Sequence, residues 1–258
     1  MPQARTSDEL GEIAYACAWT IPVPFVVLQD NAIVFVNAAA VEVLGYDGPW
    51  RLLGSDVDAI LHSDAREAAA NRRTVVANGE RLANIPSKML TQTGEGVAVR
   101  VTAELIEVDG ACLTLVQLRQ ARRCWPPRGW PEPPNLGPIS RALGRAVLEA
   151  LDVPVIVHTA TELLFANALA RQQLGAESIQ EIAGRPMLSV LHPDSVLPAL
   201  QRGVFFWATR QPILNVPVKL RGLNGSVMRA TADAYPVKAG ATSVALVVGV
   251  DDVDGPGS

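Results

Sequence analysis

The sequence has no surplus of positive charge. Its 22 Lys and Arg against 26 Asp and Glu leave a formal net charge of -4. Chains that bind nucleic acid normally carry a basic excess, so no direct nucleic-acid contact is expected. No stretch reaches the eighteen or so continuous apolar residues of a membrane span. The N-terminus, MPQARTSDELGEIAYACAW, places acids ahead of a short apolar stretch and lacks the positive start of a secretory signal. A cytoplasmic location is expected, either for this chain alone or for it as part of something longer. Cys17, Cys112 and Cys124 are odd in number and fit no metal-ligand spacing, which suits a reducing compartment. There is also no Gly-rich phosphate loop, no paired-His metal motif and no Gly-x-Ser-x-Gly elbow. Asp56 and Asp58 are two positions apart and point away from each other on a helix. The residues that make or break bonds are missing, and no enzyme is expected.

What is present is a duplication. Val23 to Tyr46, VPFVVLQDNAIVFVNAAAVEVLGY, returns at Val153 to Ala176, VPVIVHTATELLFANALARQQLGA. An offset of 130 positions (153 minus 23) places Val23, Pro24, Val27, Phe35, Asn37, Ala38, Ala40, Leu44 and Gly45 on identical residues. The same offset carries Gly54 to Gly184, Leu61-His62 to Leu191-His192 and Asp64 to Asp194, while Asn84, Pro86 and Lys88 recur one step later as Asn215, Pro217 and Lys219. The period is too long for a solenoid repeat and implies two domains. With 258 residues, 49% of them apolar, each half is large enough for its own core.

Each copy reads the same way. Pro24 to Gln29 and Ala32 to Val36 form a strand pair around Asp30-Asn31. Asn37 caps a helix over Ala38 to Leu44 that Gly45 closes, and Asn167 and Gly175 repeat those roles. A longer helix is expected over Asp64 to Ala77. Three strands follow, Ala83 to Leu90, Val97 to Glu107 and Ala111 to Leu118, repeated as Ile213 to Leu220, Val227 to Tyr235 and Ser243 to Val250. This order predicts an α+β fold: two domains, each a five-stranded antiparallel sheet with helices on one face. The expected divisions are an N-terminal amphipathic helix within 1–20, domains over 21–120 and 151–252, and a Pro-rich linker with connecting helix over 121–150. Thr6 and Glu9 fit a capping box for the first helix, whose apolar face needs a partner in its own domain or in another subunit. The linker holds six prolines between residues 121 and 138, with Trp125 and Trp130 among them. Ile139, Leu143, Val147 and Leu151 continue as a second amphipathic helix, and the terminal DDVDGPGS is polar.

Strand, strand, Asn-Ala-Ala, helix, Leu-Gly-Tyr, then Gly54 and Leu61-His62-Ser63-Asp64, then three strands, resembles a PAS domain. The second copy, with Leu191-His192-Pro193-Asp194, is similar to another. The resemblance implies a sensory and regulatory protein, or a fragment of one. It implies a small apolar ligand or a protein partner, flanking helices that mediate a homodimer, and a conformational signal passed to an output domain or partner protein. The rival expectation is a ligand-free assembly module. His62 and His192 are single histidines without a second ligand at metal spacing. In the resemblance their position, with Asp64 and Asp194, is structural, at a loop-to-helix junction. Neither 54–64 nor 184–194 contains the cysteine that photoreactive flavin chemistry needs, and neither long helix contains the axial His common in haem-binding relatives. Haem through another ligand, and flavin without thiol chemistry, stay open.

The long helices suggest where a ligand sits. The second carries Leu197, Leu200, Val204, Phe205 and Trp207, and the first has Ala68, Ala69, Val75 and Val76 in the comparable region. Small residues leave volume that large ones fill. A pocket is therefore expected against Ala69, Val75 and Val76 in one copy and Leu200, Val204 and Trp207 in the other, with the first copy the more open.

Overall fold

The computed structural model describes residues 5–119 and 139–250. The Pro-rich stretch with Trp125 and Trp130, and the terminal DDVDGPGS, lie outside the described residues. The chain divides into two compact units, Ala18–Val147 and Leu148–Ser258, the latter together with Met1–Cys17.

Helix α1 runs Ser7–Thr20. Its start is the expected capping box: the Thr6 amide donates to Glu9 Oε2 at 2.9 Å and the Glu9 amide to Thr6 Oγ1 at 3.2 Å. Ile13 to Trp19 are all buried. Arg5, just before the helix, is ion-paired with Glu162 within the second unit.

In the first unit, β1 (Phe25–Gln29), β2 (Ala32–Val36), β3 (Leu82–Leu90), β4 (Gly96–Val108) and β5 (Ala111–Arg119) form one antiparallel sheet in the order β2-β1-β5-β4-β3. Helices α2 (Ala38–Val43) and α3 (Ser63–Ala77) lie between β2 and β3 in sequence. In the second unit, after α4 (Ile139–Ala150), the strands are β6 (Val155–His158), β7 (Leu163–Ala166), β8 (Ile213–Arg221), β9 (Val227–Ala239) and β10 (Thr242–Val250). They take the corresponding order β7-β6-β10-β9-β8, with α5 (Ala168–Leu174) and α6 (Pro193–Thr209) as the matching helices. The strand alternation sends Val26 and Leu28 to one face of the first sheet and Phe25 and Val27 to the other. Phe25, Val27, Phe35 and Leu115 are fully buried, and Trp19 of α1 stands edge-on to Phe35 with ring centroids 6.4 Å apart. The sheet thus has apolar cover on its reverse face as well.

One side chain joins the parts of each unit. Asn37 is fully buried, and its Oδ1 accepts from the Phe25 and Ala40 amides, both at 3.0 Å. Its Nδ2 donates to the carbonyls of Ile21 at 3.1 Å and Val23 at 2.9 Å. These four bonds use the whole capacity of a primary amide. The entry segment, β1 and the first turn of α2 are held by one group. Asn167 repeats the pattern with the Val155 and Ala170 amides, both at 3.0 Å, and the Leu151 and Val153 carbonyls at 3.4 and 2.8 Å. At the far end of α2, Gly45 (φ 67°) lets the Tyr46 amide reach the Val41 carbonyl at 3.0 Å, a Schellman closure repeated by Gly175.

A second repeated device explains why Asn84 recurs as Asn215. Both sit where β3 and β8 shift register, with φ of 58° and 53°. Asn adopts the left-handed region more readily than most non-glycine residues. The freed amide is caught by a side chain on the neighbouring strand, Thr102 Oγ1 at 3.3 Å or Asp233 Oδ1 at 2.7 Å. Asp233 is buried, and the Tyr235 hydroxyl donates to its other oxygen at 2.9 Å.

Replacing Asn37 by Ala is expected to destabilise the first unit by about 3 kcal/mol, because it strands two buried amides and two carbonyls. Asn37→Asp, which keeps the acceptors and loses the donors, should cost a comparable amount. Urea unfolding checks this; a loss under about 1 kcal/mol for both variants contradicts the junction role.

Candidate functional site

The first unit encloses a cavity of about 740 Å³ between α3 and one face of its sheet. Val26 and Leu28 of β1, Met89 of β3, Val101 of β4 and Val116 and Leu118 of β5 line it, each projecting from the same face. From the helix side come Ala69, Arg72, Arg73, Val76 and Ala77. The remaining polar wall residues include Asp30, Asn31, Thr74 and Asn78, all exposed, while Arg72 and Arg73 are half-buried. The sheet side of the wall is mostly apolar, with Ser87 and Thr114 half-buried among its aliphatic side chains, and the charged and amide residues are exposed or half-buried. Arg73 is bonded to both oxygens of Asp58, at 2.7 and 3.4 Å, and Arg72 Nη1 donates to the Pro86 carbonyl at 3.2 Å.

The second unit has a much smaller cavity, about 180 Å³, in the corresponding place. The 130-residue offset pairs the helix-side lining position by position: Ala69 with Ala199, Arg72 with Arg202, Arg73 with Gly203, Val76 with Phe206 and Ala77 with Trp207. The last two pairs account for the lost space. Phe206 and Trp207 pack edge-to-face with centroids 5.1 Å apart, and Trp207 also meets the His158 ring edge-on at 6.4 Å. Arg210 lies over the Trp207 ring at 5.7 Å, a cation–π arrangement that holds the indole in place.

Of the residues expected at the pockets, Ala69 and Val76 line the first cavity and Trp207 the second. Val75 is half-buried and outside the lining. Leu200 and Val204 stand on the outer side of α6, 48% and 74% exposed. Ala199, Gly203 and Phe206 form the inward arc, at spacings of four and three. Apolarity on that helix marks two faces, and the bulkier aliphatic one points outward with Leu197 and Phe205.

His62 and His192 are the N-caps of α3 and α6. Each accepts from the amide two residues on, Asp64 or Asp194, at 3.3 Å. Their own amides donate to the carbonyls of Lys88 at 3.1 Å and Lys219 at 3.0 Å, which ties the start of each long helix to the neighbouring strand. Lys219 Nζ also reaches Asp194 Oδ2 at 2.6 Å, and that contact holds the Asp194 carboxyl below the usual carboxylate range. Among the described residues no group of three or more His, Cys, Asp and Glu is placed to hold a metal ion.

His158 is the unexpected wall residue. It occupies the place of Leu28 on the cavity side of its sheet, and its Nδ1 lies 2.5 Å from the Thr159 carbonyl. Nδ1–H donates there, which leaves Nε2 as an acceptor on the cavity side. Burial pushes the imidazole below its ordinary pKa, against an opposing contribution from the Thr159 bond. The 180 Å³ space beside His158 is too small for a porphyrin, and the lining of the larger cavity contains no imidazole, Met89 and Cys112 being its sulfur groups.

Sequence reasoning missed Arg72, Arg202 and the strand side of both walls, and it reads His158, opposite Leu28 in the repeat, as a solvated or locally bonded imidazole and not as a wall residue. The offset itself was the available signal, since it aligns Arg72 with Arg202 on the long helices.

Two antiparallel sheets of order 2-1-5-4-3, each with helices enclosing a cavity against it, define one α+β module repeated in tandem. A family model described as PAS domain matches residues 20–83 and 145–208, and each half of the chain belongs to that family. The match spans the first two strands and the helices of each unit. Among solved structures, the chain is similar to the PAS domain of an HTR-like protein from Haloarcula marismortui, at 21% identity over 43% of this chain and 92% of that one, TM-score 0.39. It is similar to a domain of a sensory box sensor histidine kinase/response regulator from Geobacter sulfurreducens, at 22% identity over 42% and 92%, TM-score 0.36. An RNA-binding Light-Oxygen-Voltage receptor is matched at 13% identity over 88% and 95%, TM-score 0.39. No curated protein matches the chain.

Because the folded pKa of His158 lies below its unfolded value, the unfolded chain takes up the proton first as pH falls. The second domain should therefore be most stable above the ordinary imidazole pKa and lose stability as pH drops through it toward the depressed folded value. Melting curves from pH 8 to pH 5 test this. The variant His158→Leu, which copies Leu28, is expected to have the flatter pH dependence; an unchanged slope contradicts the assignment.

Proposed function

We propose that the chain is a signal-sensing relay in which the first PAS domain takes a small apolar ligand and the second, its interior filled by rings, passes the conformational change to an output domain or partner protein. The observation that carries this reading is the contrast of about 740 Å³ against about 180 Å³ at equivalent places in one duplicated plan. The larger value falls within the roughly 300–1,000 Å³ of small-molecule sites, and the smaller falls below it. A ligand between α3 and the sheet touches both walls, so it favours whichever helix position suits it. Its differential affinity for the two positions sets the size of the signal. No bond is made or broken.

A compound that occupies the site at a hundred times its Kd stabilises the first domain by about 2.7 kcal/mol. A thermal-shift screen of small apolar compounds should find such occupants, and the paired replacement Val76→Phe and Ala77→Trp, which copies the helix wall of the second domain, should abolish their effect. No shift for any compound contradicts the reading.

A second reading, homodimeric assembly without ligand, is favoured by the outer stripe of α6: Leu197, Leu200, Val204 and Phe205 are 65%, 48%, 74% and 54% exposed. The apolar stretch Ile13 to Trp19 of the flanking helix α1 is already buried, so α6 is the surface this reading assigns to a second copy. Sedimentation at rising concentration should then show a dimer that Val204→Glu weakens at least tenfold. A monomer at all concentrations contradicts it.

A further inference from the structure

We infer that the occupant of the first PAS cavity is a free amphiphile with a single apolar chain and an anionic, carboxylate-type head, and that Arg72 holds the head. The inference rests on the reading of that cavity as a ligand site and names the class of ligand.

The wall is divided in the way such a molecule is. Val26, Leu28, Met89 and Leu118, all buried, make most of the sheet side apolar, with Ser87 and Thr114 as its half-buried hydroxyls. The charged and amide residues of the wall are exposed or half-buried, and α3 supplies two consecutive arginines among them. Those arginines are not equivalent. The charge of Arg73 is compensated by Asp58, which it grips at 2.7 and 3.4 Å. Among the described residues Arg72 donates to one group, the neutral carbonyl of Pro86, and it makes no ion pair with Asp30, the acid of the same wall. A guanidinium has five N–H donors in a planar fork, so Arg72 keeps both its charge and the geometry for a bidentate carboxylate. A half-buried cation beside an apolar space favours an anion at that end and an aliphatic chain beyond it.

The second domain shows what the same position looks like without the space. Arg202 occupies the place of Arg72 and also lines its wall, but Phe206 and Trp207 fill the volume where a chain would lie. Selectivity for the acid therefore belongs to the first domain.

The test uses the full chain and two probes of one chain length, decanoate and 1-decanol, each titrated calorimetrically as monomer near pH 7.5. Wild type is expected to bind decanoate at least tenfold more tightly than decanol. Arg72→Gln should remove that preference and leave decanol binding unchanged, while Arg72→Lys, which keeps the charge without the fork, restores part of it. Circular dichroism melts establish that the variants are folded. Equal wild-type affinity for the two probes, or decanoate binding that Arg72→Gln leaves unchanged, overturns the anionic head while the apolar-ligand reading stands; Arg72 is then a structural clamp between α3 and β3. Binding of both probes that survives the paired replacement Val76→Phe and Ala77→Trp, which copies the smaller second cavity, places them outside the cavity and overturns both readings. A wild type that binds neither probe overturns the inference alone, because the screen of apolar compounds judges the cavity separately.

Discussion

A primary amide buried at the junction of strand and helix is the constraint on which each domain depends. Asn37 and Asn167 accept from two backbone amides and donate to two carbonyls, so the entry segment, the first strand and the first helix have one permitted arrangement. No other side chain offers two donors and two acceptors in so short a reach. The cost of leaving any of these groups unpaired in the interior is what makes the junction specific. Once it is set, β2 pairs with β1, β5 closes on the other side of β1, and the long helix is directed across the sheet. The histidine caps and the Asn84 and Asn215 bulges fix the remaining corners by the same means, a polar side chain placed where the backbone has a group to satisfy.

On that shared frame the two domains differ through a few wall residues. Val76-Ala77 and Phe206-Trp207 occupy equivalent places on their helices and line the equivalent spaces, yet the first pair leaves a cavity of about 740 Å³ and the second about 180 Å³. One copy thereby keeps the larger open volume. The other keeps a smaller cavity walled by Phe206 and Trp207 and shows an apolar outer face on α6. Duplication followed by unequal filling is a simple physical route from a repeated fold to a division of labour.

Much of the architecture was legible in the residues because local rules and the repeat agreed. Alternation gave the strands, Asn and Gly bounded α2 and α5, Thr6 and Glu9 announced α1, and the offset required that each element appear twice. The walls were less legible, for a definite reason. On α6 both faces are apolar, so composition did not distinguish Phe206, which points inward, from Leu200 and Val204, which point outward. Arg72 looks like an ordinary solvated helix residue in sequence, and its meaning arises only when strands far away in the chain complete the space beside it. His158 takes the place of Leu28 in the repeat, but its role as a wall residue arises only when α6 and the strands of the second sheet complete the space beside it.

The central claim is that the two domains differ in having, or lacking, room for a ligand at the same place. Anomalous diffraction from crystals soaked with 12-bromododecan-1-ol, a probe too long for the smaller cavity, tests it directly. Bromine density between α3 and the sheet of the first domain, with none between α6 and the second sheet, is the predicted result. Density in both interiors, or in the second alone, would contradict it.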